Sequence, residues 1–415
     1  MLQSDLDFHG KNSTYATHAL HAFPAKFPPQ LPQVFIQNLT KPGEIVLDPM
    51  MGSGTTLLEA VLLGRKTIGF DIDPLALRIS QVKVDPPDIG RIGELGEAIL
   101  TSAREHFSQN PGELIDRLDQ RFDSSSRAFI NYWFTPATQQ ELIALLLEIE
   151  KIEEIRLRSL FELILSATII TKSGGVSLAR DLAHTRPHRQ SDKSPRSALL
   201  EFSKRFNQFK RSILDHPPFP EHLIAQGNAQ SIPLQTNSVD LIITSPPYAN
   251  NAIDYMRANK FSLVWFGHAI DELSRLRSQY IGSDSITQFP FLSMPPKTEN
   301  VLSRLRDQDD RRAKAVHRYY SEMKNAISEM YRVLKPGKAA VVVVGTSIIK
   351  GIDTQTHHCL AEIGVESGFM VAGIAERHLD RDKRMMPARL NQQSKTQIEK
   401  RMHSEYVIGF FKPGR

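Results

Sequence analysis

The chain has 415 residues, of which 40% are hydrophobic and 23% are charged, and it carries a formal net charge of +5 at pH 7. This composition excludes a disordered protein, and the length exceeds one ordinary core, so we expect either one large domain with insertions or two domains. The single cysteine excludes intramolecular disulfides and zinc sites built from several cysteines, and the sequence predicts neither a signal peptide nor a membrane span, so we expect a cytoplasmic protein.

The first predicted elements form a βαβ unit. Before this unit, the sequence predicts a polar, flexible arm at 1–20, a proline-rich loop at 21–29 and an amphipathic helix that ends at Leu39. The unit itself consists of a buried strand at 45–47, a glycine-bearing loop at 48–56, a helix that stops at Gly64, and a strand at 67–70. A strand, a glycine loop, a helix and a second strand within about thirty residues are typical of such a unit.

The loop at 48–56 is not a phosphate-binding loop, because Gly54 is followed by Thr55 and not by the lysine of that motif. It places an acid, Asp48, at the end of a strand, and its small residues allow a ligand to approach the start of a helix. Asp71, at the end of the next strand, is placed to accept hydrogen bonds from ribose hydroxyls. Together these features predict a nucleoside with a positively charged tail, namely S-adenosylmethionine. In the alternative interpretation Asp48 caps the helix and Asp71 begins a turn.

A mostly helical region follows from Leu75 to His216 and contains the most basic segment of the chain, at 173–211. Basic residues cluster there although the charge of the whole chain is nearly balanced, which favours an insertion that contacts phosphates. A solvated charged face is the alternative. The candidate DNA contacts in this segment are Arg180, Arg186, Arg189 and Lys193.

The stretch Thr244-Ser245-Pro246-Pro247-Tyr248 follows a short apolar run at 238–243 that predicts a buried strand. Two successive prolines lack backbone N–H groups and cannot continue a sheet. They hold Ser245 and Tyr248 at a fixed separation at the carboxyl end of the strand, which is where open α/β sheets bind ligands. A strand that simply ends in a proline turn is the alternative.

The remaining sequence predicts further helices and the last strands of the sheet. Residues 250–282 are predicted to be helical, with Arg257 and Lys260 as candidate DNA contacts, and 283–316 is predicted to be a loop. We interpret the aromatic residues of the first segment as core residues. The later elements are a helix at 320–334, a central strand at 339–344, a helix at about 354–368, and strands near 369–376 and 406–411.

The sequence resembles the amino-group DNA methyltransferases, which methylate the exocyclic N4 of cytosine or N6 of adenine. Residues 48–56 are similar to the cofactor loop of that family, with Met50 where phenylalanine is usual. Residues 244–248 are similar to its catalytic tetrad, in the form associated more often with cytosine-N4. Residues 21–29 resemble the segment beside the methionine moiety, and 331–337 resemble the helix and turn before a later core strand.

The resemblance implies S-adenosylmethionine as the cofactor. The residues predicted to bind it are Phe27, Asp48, Pro49, Met50, Gly52, Ser53, Gly54, Thr55, Thr56, Asp71, Ile72, Asn228 and Ala229. Where the family often has an acid after the third strand, this chain has Asn228, whose side chain can still bond to adenine. The predicted catalytic residues are Ser245, Pro246, Pro247 and Tyr248. Ser245 and the Pro246 carbonyl would accept the N–H bonds of the target amine, and Tyr248 would stack on a flipped base.

The sequence therefore predicts a doubly wound, Rossmann-like α/β methyltransferase sheet with a largely helical insertion. The core is expected at 1–75 and 223–415, the basic insertion at 76–222, and a second DNA-contact segment at 250–316. The predicted activity is site-specific cytosine-N4 methylation of double-stranded DNA. The alternatives are adenine-N6 methylation, RNA amino-group methylation, and a catalytically silent DNA-binding relative. A cognate restriction endonuclease is a candidate second partner, no metal is expected, and the oligomeric state is left open.

Overall fold

The computed structural model describes residues 2–24, 26–87, 89–171, 175–180, 182, 187–212, 220–249, 254–379 and 404–414. The strands are β1 (Ile45–Asp48), β2 (Lys66–Asp71), β3 (His222–Gln226), β4 (Val239–Thr244), β5 (Leu334–Gly345), β6 (Ile348–Ile349), β7 (Ile352–Asp353), β8 (Met370–His378) and β9 (Ser404–Phe411). The short strands β6 and β7 pair only with each other, and the other seven form one sheet.

The strand order of this sheet is β3-β2-β1-β4-β5-β9-β8. The pairs from β3 to β5 are parallel, whereas β9 is antiparallel to both of its neighbours. The chain lays β2 and β3 on one side of β1 and then returns to place β4 on the other side. The order therefore reverses between β1 and β4, and such a switch point opens a crevice at the carboxyl ends of the strands.

Helices cover both faces of the sheet. The helices are α1 (Gln30–Leu39), α2 (Thr55–Leu62), α3 (Pro74–Val84), α4 (Ile89–Gln109), α5 (Pro111–Arg121), α6 (Ser124–Trp133), α7 (Pro136–Glu150), α8 (Ile155–Ile169), α9 (Ala198–Ser212), α10 (Tyr255–Leu263), α11 (Ile270–Ser278), α12 (Pro296–Gln308), α13 (Asp310–Val333) and α14 (Thr356–Glu366). Along β5, Val341 and Val343 pack towards α1, and Val342 and Val344 pack towards α13 and α14. This two-sided burial explains the continuous run of valines in that strand, and it confirms the predicted doubly wound α/β sheet.

The region predicted as a helical insertion, 76–222, lies between β2 and β3 and contains most of α3 and all of α4 to α9. Its hydrophobic core also contains Phe261 of α10 and Trp265 just after it, both without exposed surface. The insertion and the later segment at 254–282 therefore share one core, although the sequence placed them in separate parts of the chain. Phe261 and Trp265 lie in the core, as we predicted.

Two local predictions are wrong. The loop expected at 283–316 contains α12, because Val301, Leu302 and Leu305 lie on one side of this charged helix and are buried. The arm at 1–20, expected to be flexible, is anchored on the core by the buried side chains of Leu6, Thr17, His18 and Leu20, whereas 3–5 and 9–12 are exposed. A count of polar residues does not detect these few anchoring side chains. No helix in the described ranges is both long and apolar enough to cross a membrane.

Candidate active site

A cavity lies at the carboxyl ends of β1, β2 and β4, at the switch point of the sheet. It encloses about 920 Å³ of space between protein atoms, including the part open to solvent. All the residues predicted to bind the cofactor line it, except Gly54 and Thr56. Ser245 and Pro247 of the predicted tetrad line it as well. The structure thus brings the two sequence motifs to one cavity.

Asp48 ends β1 and is 2% exposed. Its Oδ1 atom accepts a hydrogen bond of 2.7 Å from the hydroxyl of Thr244 and one of 3.2 Å from the backbone N–H of Met50. Burial raises the pKa of this carboxyl to about 6, although hydrogen bonds from Thr244, Thr56 and Met50 act in the opposite direction. A buried carboxylate of this kind favours a cationic ligand, because an opposite charge offsets its desolvation.

Asp71 ends β2, one strand away. Its Oδ2 atom accepts from the backbone N–H of Gly52 at 2.8 Å, and its Oδ1 atom accepts from the N–H of Asp73 at 2.9 Å. Burial raises the pKa of Asp71 to about 7, and the nearby Asp73 adds to the shift. A carboxylate has about four acceptor positions, so Asp71 retains capacity for ribose hydroxyls after these two bonds.

The cofactor loop is shaped by its glycines and by Thr56. Gly54 has φ of +70°, and an added Cβ atom would lie 2.7 Å from Oγ of Ser80, so only glycine fits there. Thr56 is fully buried and bonds to the carbonyl of Ile243 at 3.3 Å. These two residues shape the loop from behind and do not line the cavity, whereas Ser53 and Thr55 do line it.

The predicted tetrad residues have different environments. Ser245 and Pro247 are half-buried at the cavity wall, and Pro246 is buried. Tyr248 is only 6% exposed, and its hydroxyl donates a hydrogen bond of 2.6 Å to Oε1 of Glu405. In this arrangement a base can stack on Tyr248 only after the residues that cover its ring move, so its stacking role stays a prediction.

Asn228 follows β3 at the edge of the cavity. Its side-chain oxygen accepts from the backbone N–H of Gln230 at 3.0 Å, within its own loop. The side-chain nitrogen is therefore the atom that can donate to a ring nitrogen of adenine. Ala229 is buried beside it, and Ile72 lines the same cavity.

The cavity also has walls that the sequence did not single out. They include Asp73, and Oδ2 of this residue accepts from the hydroxyl of Tyr280 at 2.8 Å and from the side-chain nitrogen of Asn259 at 2.7 Å. Tyr255 was interpreted as a core residue, but it is half-buried, lines the cavity and stacks on Phe23. The partners of Asp73 are distant in sequence, so no local pattern identifies them.

The predicted DNA contacts lie in two connected places. Arg257 and Lys260 of α10 line a groove together with Arg277 of α11 and Pro187 of the basic insertion. Arg180 and Arg189 are exposed, Lys193 is half-buried, and Arg189 lies over the ring of the exposed Tyr132. Arg186 lies outside the described residues. The structure thus brings the insertion close to α10, and the binding of DNA by these cations stays a prediction.

A further, smaller cavity lies between the groove and the cofactor cavity. It shares Arg277 with the groove, and it shares Pro247, Tyr255, Tyr280 and Ile281 with the cofactor cavity.

Within the part of the chain that the structure describes, no group of three or more His, Cys, Asp or Glu side chains is arranged to hold a metal ion.

Known proteins that are similar to the chain include several Type II methyltransferases. M.MvaI of Kocuria varians is 25% identical over 385 residues, which cover 86% of this chain and 83% of that protein. M.AvaI of Nostoc is 23% identical over 380 residues, covering 82% and 76%. M.MjaII of Methanocaldococcus jannaschii is 33% identical over 121 residues, covering 29% and 23%.

Solved structures with detectable similarity include a SAM-dependent methyltransferase from Methanosarcina mazei, with a TM-score of 0.34, 10% identity, and coverage of 92% of this chain and 98% of that chain. The putative DNA modification methylase TTHA0409 of Thermus thermophilus, in complex with S-adenosyl-L-methionine, has a TM-score of 0.23, 17% identity, and coverage of 46% and 52%.

The family model for DNA methylases that act on N6 or N4 matches residues 5–82 and 239–401. The unmatched interval contains α4 to α9, so the helical insertion lies outside the part that the family model describes. The two matched segments contain the cofactor loop, Asp71 and the tetrad, and together they make up more than half of the chain. The protein therefore belongs to the N6/N4 DNA methylase family.

Proposed function

We propose that the protein is a Type II DNA methyltransferase that transfers a methyl group from S-adenosylmethionine to the exocyclic N4 of cytosine in double-stranded DNA. The observation that carries this proposal is the convergence of the Asp48 loop and Ser245 on one cavity at the switch point of the sheet. Methyl transfer requires a donor site and a site for the target amine next to each other, and these two motifs are joined by the Thr244–Asp48 hydrogen bond.

The chemistry of the cavity fits the cofactor. The buried carboxylate of Asp48 and the half-buried carboxylate of Asp71 are complementary to a cationic nucleoside, and Phe27 and Ile72 provide apolar surface. Asp71 would bind the ribose hydroxyls, Asp48 and the loop N–H groups would bind the amino-acid end, and Asn228 would bind adenine. When bound, S-adenosylmethionine supplies an electrophilic methyl group on a sulfonium sulfur.

The residues of the tetrad act on the target amine, which is conjugated to its ring and is therefore a weak nucleophile. The hydroxyl of Ser245 and the carbonyl of Pro246 accept hydrogen bonds from the two N–H groups of this amine. These bonds orient the nitrogen lone pair towards the methyl carbon. The nitrogen then bonds to that carbon, the electron pair of the breaking C–S bond stays on sulfur, and one proton passes from nitrogen to solvent. Positioning of this kind can contribute about 7–11 kcal/mol to the lowering of a barrier.

The target base must leave the duplex to reach this site, at a cost of a few kcal/mol. The groove with Arg257 and Lys260, the small cavity at Pro247, and the cofactor cavity lie next to one another, because neighbouring members share lining residues. Bound DNA in the groove would therefore lie on the same side of the protein as the methyl donor. The helical insertion and the segment after β4 would recognise the DNA sequence, and a cognate restriction endonuclease would cut the same sequence when it is unmethylated.

The form of the tetrad, with Ser245 in its first catalytic position, favours cytosine over adenine. Mass spectrometry tests this choice after the purified protein has been incubated with unmethylated plasmid and cofactor carrying a deuterated methyl group. We expect labelled N4-methylcytosine in digested DNA. Labelled N6-methyladenine alone would overturn the choice of base, and label in transfer RNA but not in DNA would overturn the choice of substrate.

A matched pair of serine variants tests the site itself. Ser245→Ala should abolish most of the transfer, because it removes one of the two acceptors for the target amine. Ser108→Ala is the control, since Ser108 is an exposed residue of α4 whose hydroxyl bonds only within its own helix. Equal activity of the two variants would contradict the proposed role of Ser245.

A further inference from the structure

Tyr248 of the tetrad is hydrogen-bonded to Glu405, which lies 157 positions later in the sequence. Its hydroxyl donates to Oε1 of Glu405 at 2.6 Å, and the two residues are only 6% and 8% exposed. Burial and the adjacent carboxylate both raise the pKa of Tyr248 well above its usual value, so the hydroxyl remains a protonated donor. Hydrogen bonds to a charged acceptor are about twice as strong as neutral ones.

Glu405 is itself fixed on its other side. Its Oε2 atom accepts from Nη1 of Arg377 at 2.5 Å, and the Arg377 Nε–H donates to the carbonyl of Leu6 at 3.1 Å. Arg377 and Glu405 face each other in the register of β8 and β9 and are both buried. The Tyr248 hydroxyl is therefore tied to two paired strands and to the N-terminal segment.

The ring of Tyr248 is also held by a backbone contact. It packs on the backbone of Gly345 at the end of β5, where an added Cβ atom would lie 3.0 Å from Cε2 of the tyrosine ring. A side chain at this position would push the ring away from the sheet. The glycine and the carboxylate together allow the ring one orientation.

We infer that Glu405 is a positioning residue for methyl transfer, because it fixes the Tyr248 ring beside Pro247, where the target base would lie once the residues that cover the ring have moved. This inference rests on the proposed function. Simple stabilisation explains the arrangement less well, since a buried ion pair such as Glu405–Arg377 contributes little net stability compared with an apolar pair of similar volume. A rigid ring has a specific use at a reacting centre, where small displacements slow the reaction.

Single-turnover rates at saturating DNA and cofactor test the inference. Tyr248→Phe keeps the ring, removes the hydroxyl, and leaves the Glu405–Arg377 pair intact. We expect it to slow methyl transfer by about tenfold to a hundredfold, the value of a hydrogen bond to a charged group. Glu405→Ala should slow it similarly, and Glu405→Gln should restore most of the rate because it retains an acceptor for the hydroxyl.

The decisive measurement is the double variant. If Glu405 acts through Tyr248, the double variant Tyr248→Phe/Glu405→Ala should transfer the methyl group almost as fast as Tyr248→Phe alone, since the effects of substitutions at coupled residues do not add. The control is Glu376→Gln, which changes an exposed carboxylate on β8 that is paired in register with Tyr406, and it should leave the rate unchanged.

Three results would overturn the inference. The first is a wild-type rate of methyl transfer in folded Tyr248→Phe. The second is a double variant whose rate is reduced by the product of the two single reductions. The third is a Glu405→Ala variant that loses thermal stability but keeps the wild-type rate. If the unmodified protein methylates no nucleic acid at all, the proposed function fails and this inference fails with it. If the unmodified protein is active and the variants match it, the inference alone fails.

Discussion

The hydroxyl of Thr244 donates a hydrogen bond of 2.7 Å to Oδ1 of Asp48, from the last residue of β4 to the last residue of β1. Both residues are buried, and β1 and β4 are the strands between which the order of the sheet reverses. The bond therefore joins the tetrad to the cofactor loop at the point where the cavity opens. It also holds the Asp48 carboxylate in place without using a cation.

We expect Thr244→Val to weaken cofactor binding by about tenfold, because Asp48 loses a donor and its ionised form becomes less favourable. The free energy of unfolding should fall by about 1–3 kcal/mol, the usual effect of an unsatisfied buried group. Calorimetric titration with S-adenosylmethionine and thermal unfolding measure the two effects. Thr168→Val is the matched control, since that hydroxyl is equally buried but bonds only to the Ile164 carbonyl within α8. Equal loss of cofactor affinity in both variants would contradict the assigned role of Thr244.

The acids of the cavity predict a pH dependence of cofactor binding. Burial raises the pKa of Asp48 to about 6 and that of Asp71 to about 7, from an ordinary value of 3.8. A cationic ligand favours their ionised forms, so affinity should rise with pH, most steeply below about pH 6, where both acids are protonated in the free protein, and should level off above about pH 7. The gain is at most about tenfold per pH unit for each proton released. In the ligand-free protein, folding stability depends on pH in the opposite direction. The folded protein then binds these protons more tightly than the unfolded chain does, so the contribution of both acids to stability falls as the pH rises from about 4 to 7.

Titrations in buffers with different ionisation enthalpies count the protons released on binding. We expect the largest proton release below about pH 6 and almost none well above pH 7. Release should be smaller in Asp48→Asn, which removes one of the two acids. An affinity that does not change between pH 5 and 8 would contradict this electrostatic account of the cavity.

The location of the site could be predicted from the sequence because its main residues follow strands. Asp48, Asp71 and Ser245 each stand at the carboxyl end of a short apolar run, and these ends meet in a parallel sheet. Glu405 and Tyr280 gave no such signal. Each reaches its partner across more than 150 positions of sequence, and nothing in the local pattern distinguishes it from an ordinary polar residue.

The packed N-terminal arm was missed for a related reason. Glu59 lies in the otherwise apolar helix α2 and is fully buried, where it accepts from Tyr15 at 2.6 Å and lies 2.7 Å from Nε2 of His18. A charged residue on a buried helix face needs partners, so Glu59 was a usable signal. The identity of its partners, however, depends on the tertiary fold.

Asp73 links the cofactor cavity to the segment after β4, and Tyr280→Phe tests that link. Removing this hydroxyl takes one donor from the buried Asp73 carboxylate and should lower the free energy of unfolding by about 1–3 kcal/mol. Because Tyr280 lines both the cofactor cavity and the cavity at Pro247, we expect the KM values for cofactor and for DNA to rise together. Steady-state kinetics with each substrate varied in turn measure both.

The control for this variant is Tyr331→Phe, a half-buried tyrosine whose ring packs against Phe369 and which lines neither cavity. It should leave both KM values unchanged. A loss of stability in Tyr280→Phe without any change in KM would show that the bond to Asp73 only supports the fold.

The groove between the insertion and α10 predicts how the protein contacts DNA. Lys260 lines this groove, and its ammonium nitrogen lies 5.2 Å from the centre of the Phe129 ring. Burial lowers the pKa of Lys260, so the charge is held in a partly desolvated place where a phosphate would stabilise it. We expect Lys260→Ala to weaken DNA binding, with the slope of log affinity against log salt reduced by about 0.9, the value for one lost phosphate contact. Fluorescence anisotropy over a series of salt concentrations gives this slope.

The matched control is Lys314→Ala. Lys314 is exposed on α13, where its ammonium pairs with Asp310 at 2.7 Å in the same helix, and it lines no part of the groove. It should change neither the affinity nor the slope. A Lys260→Ala variant with the wild-type slope would favour the other interpretation of these cations, a solvated charged face. Because a phosphate contact carries no sequence information, the loss in Lys260→Ala should also be equal for methylated, unmethylated and unrelated duplexes. A loss confined to one sequence would assign Lys260 to base recognition instead.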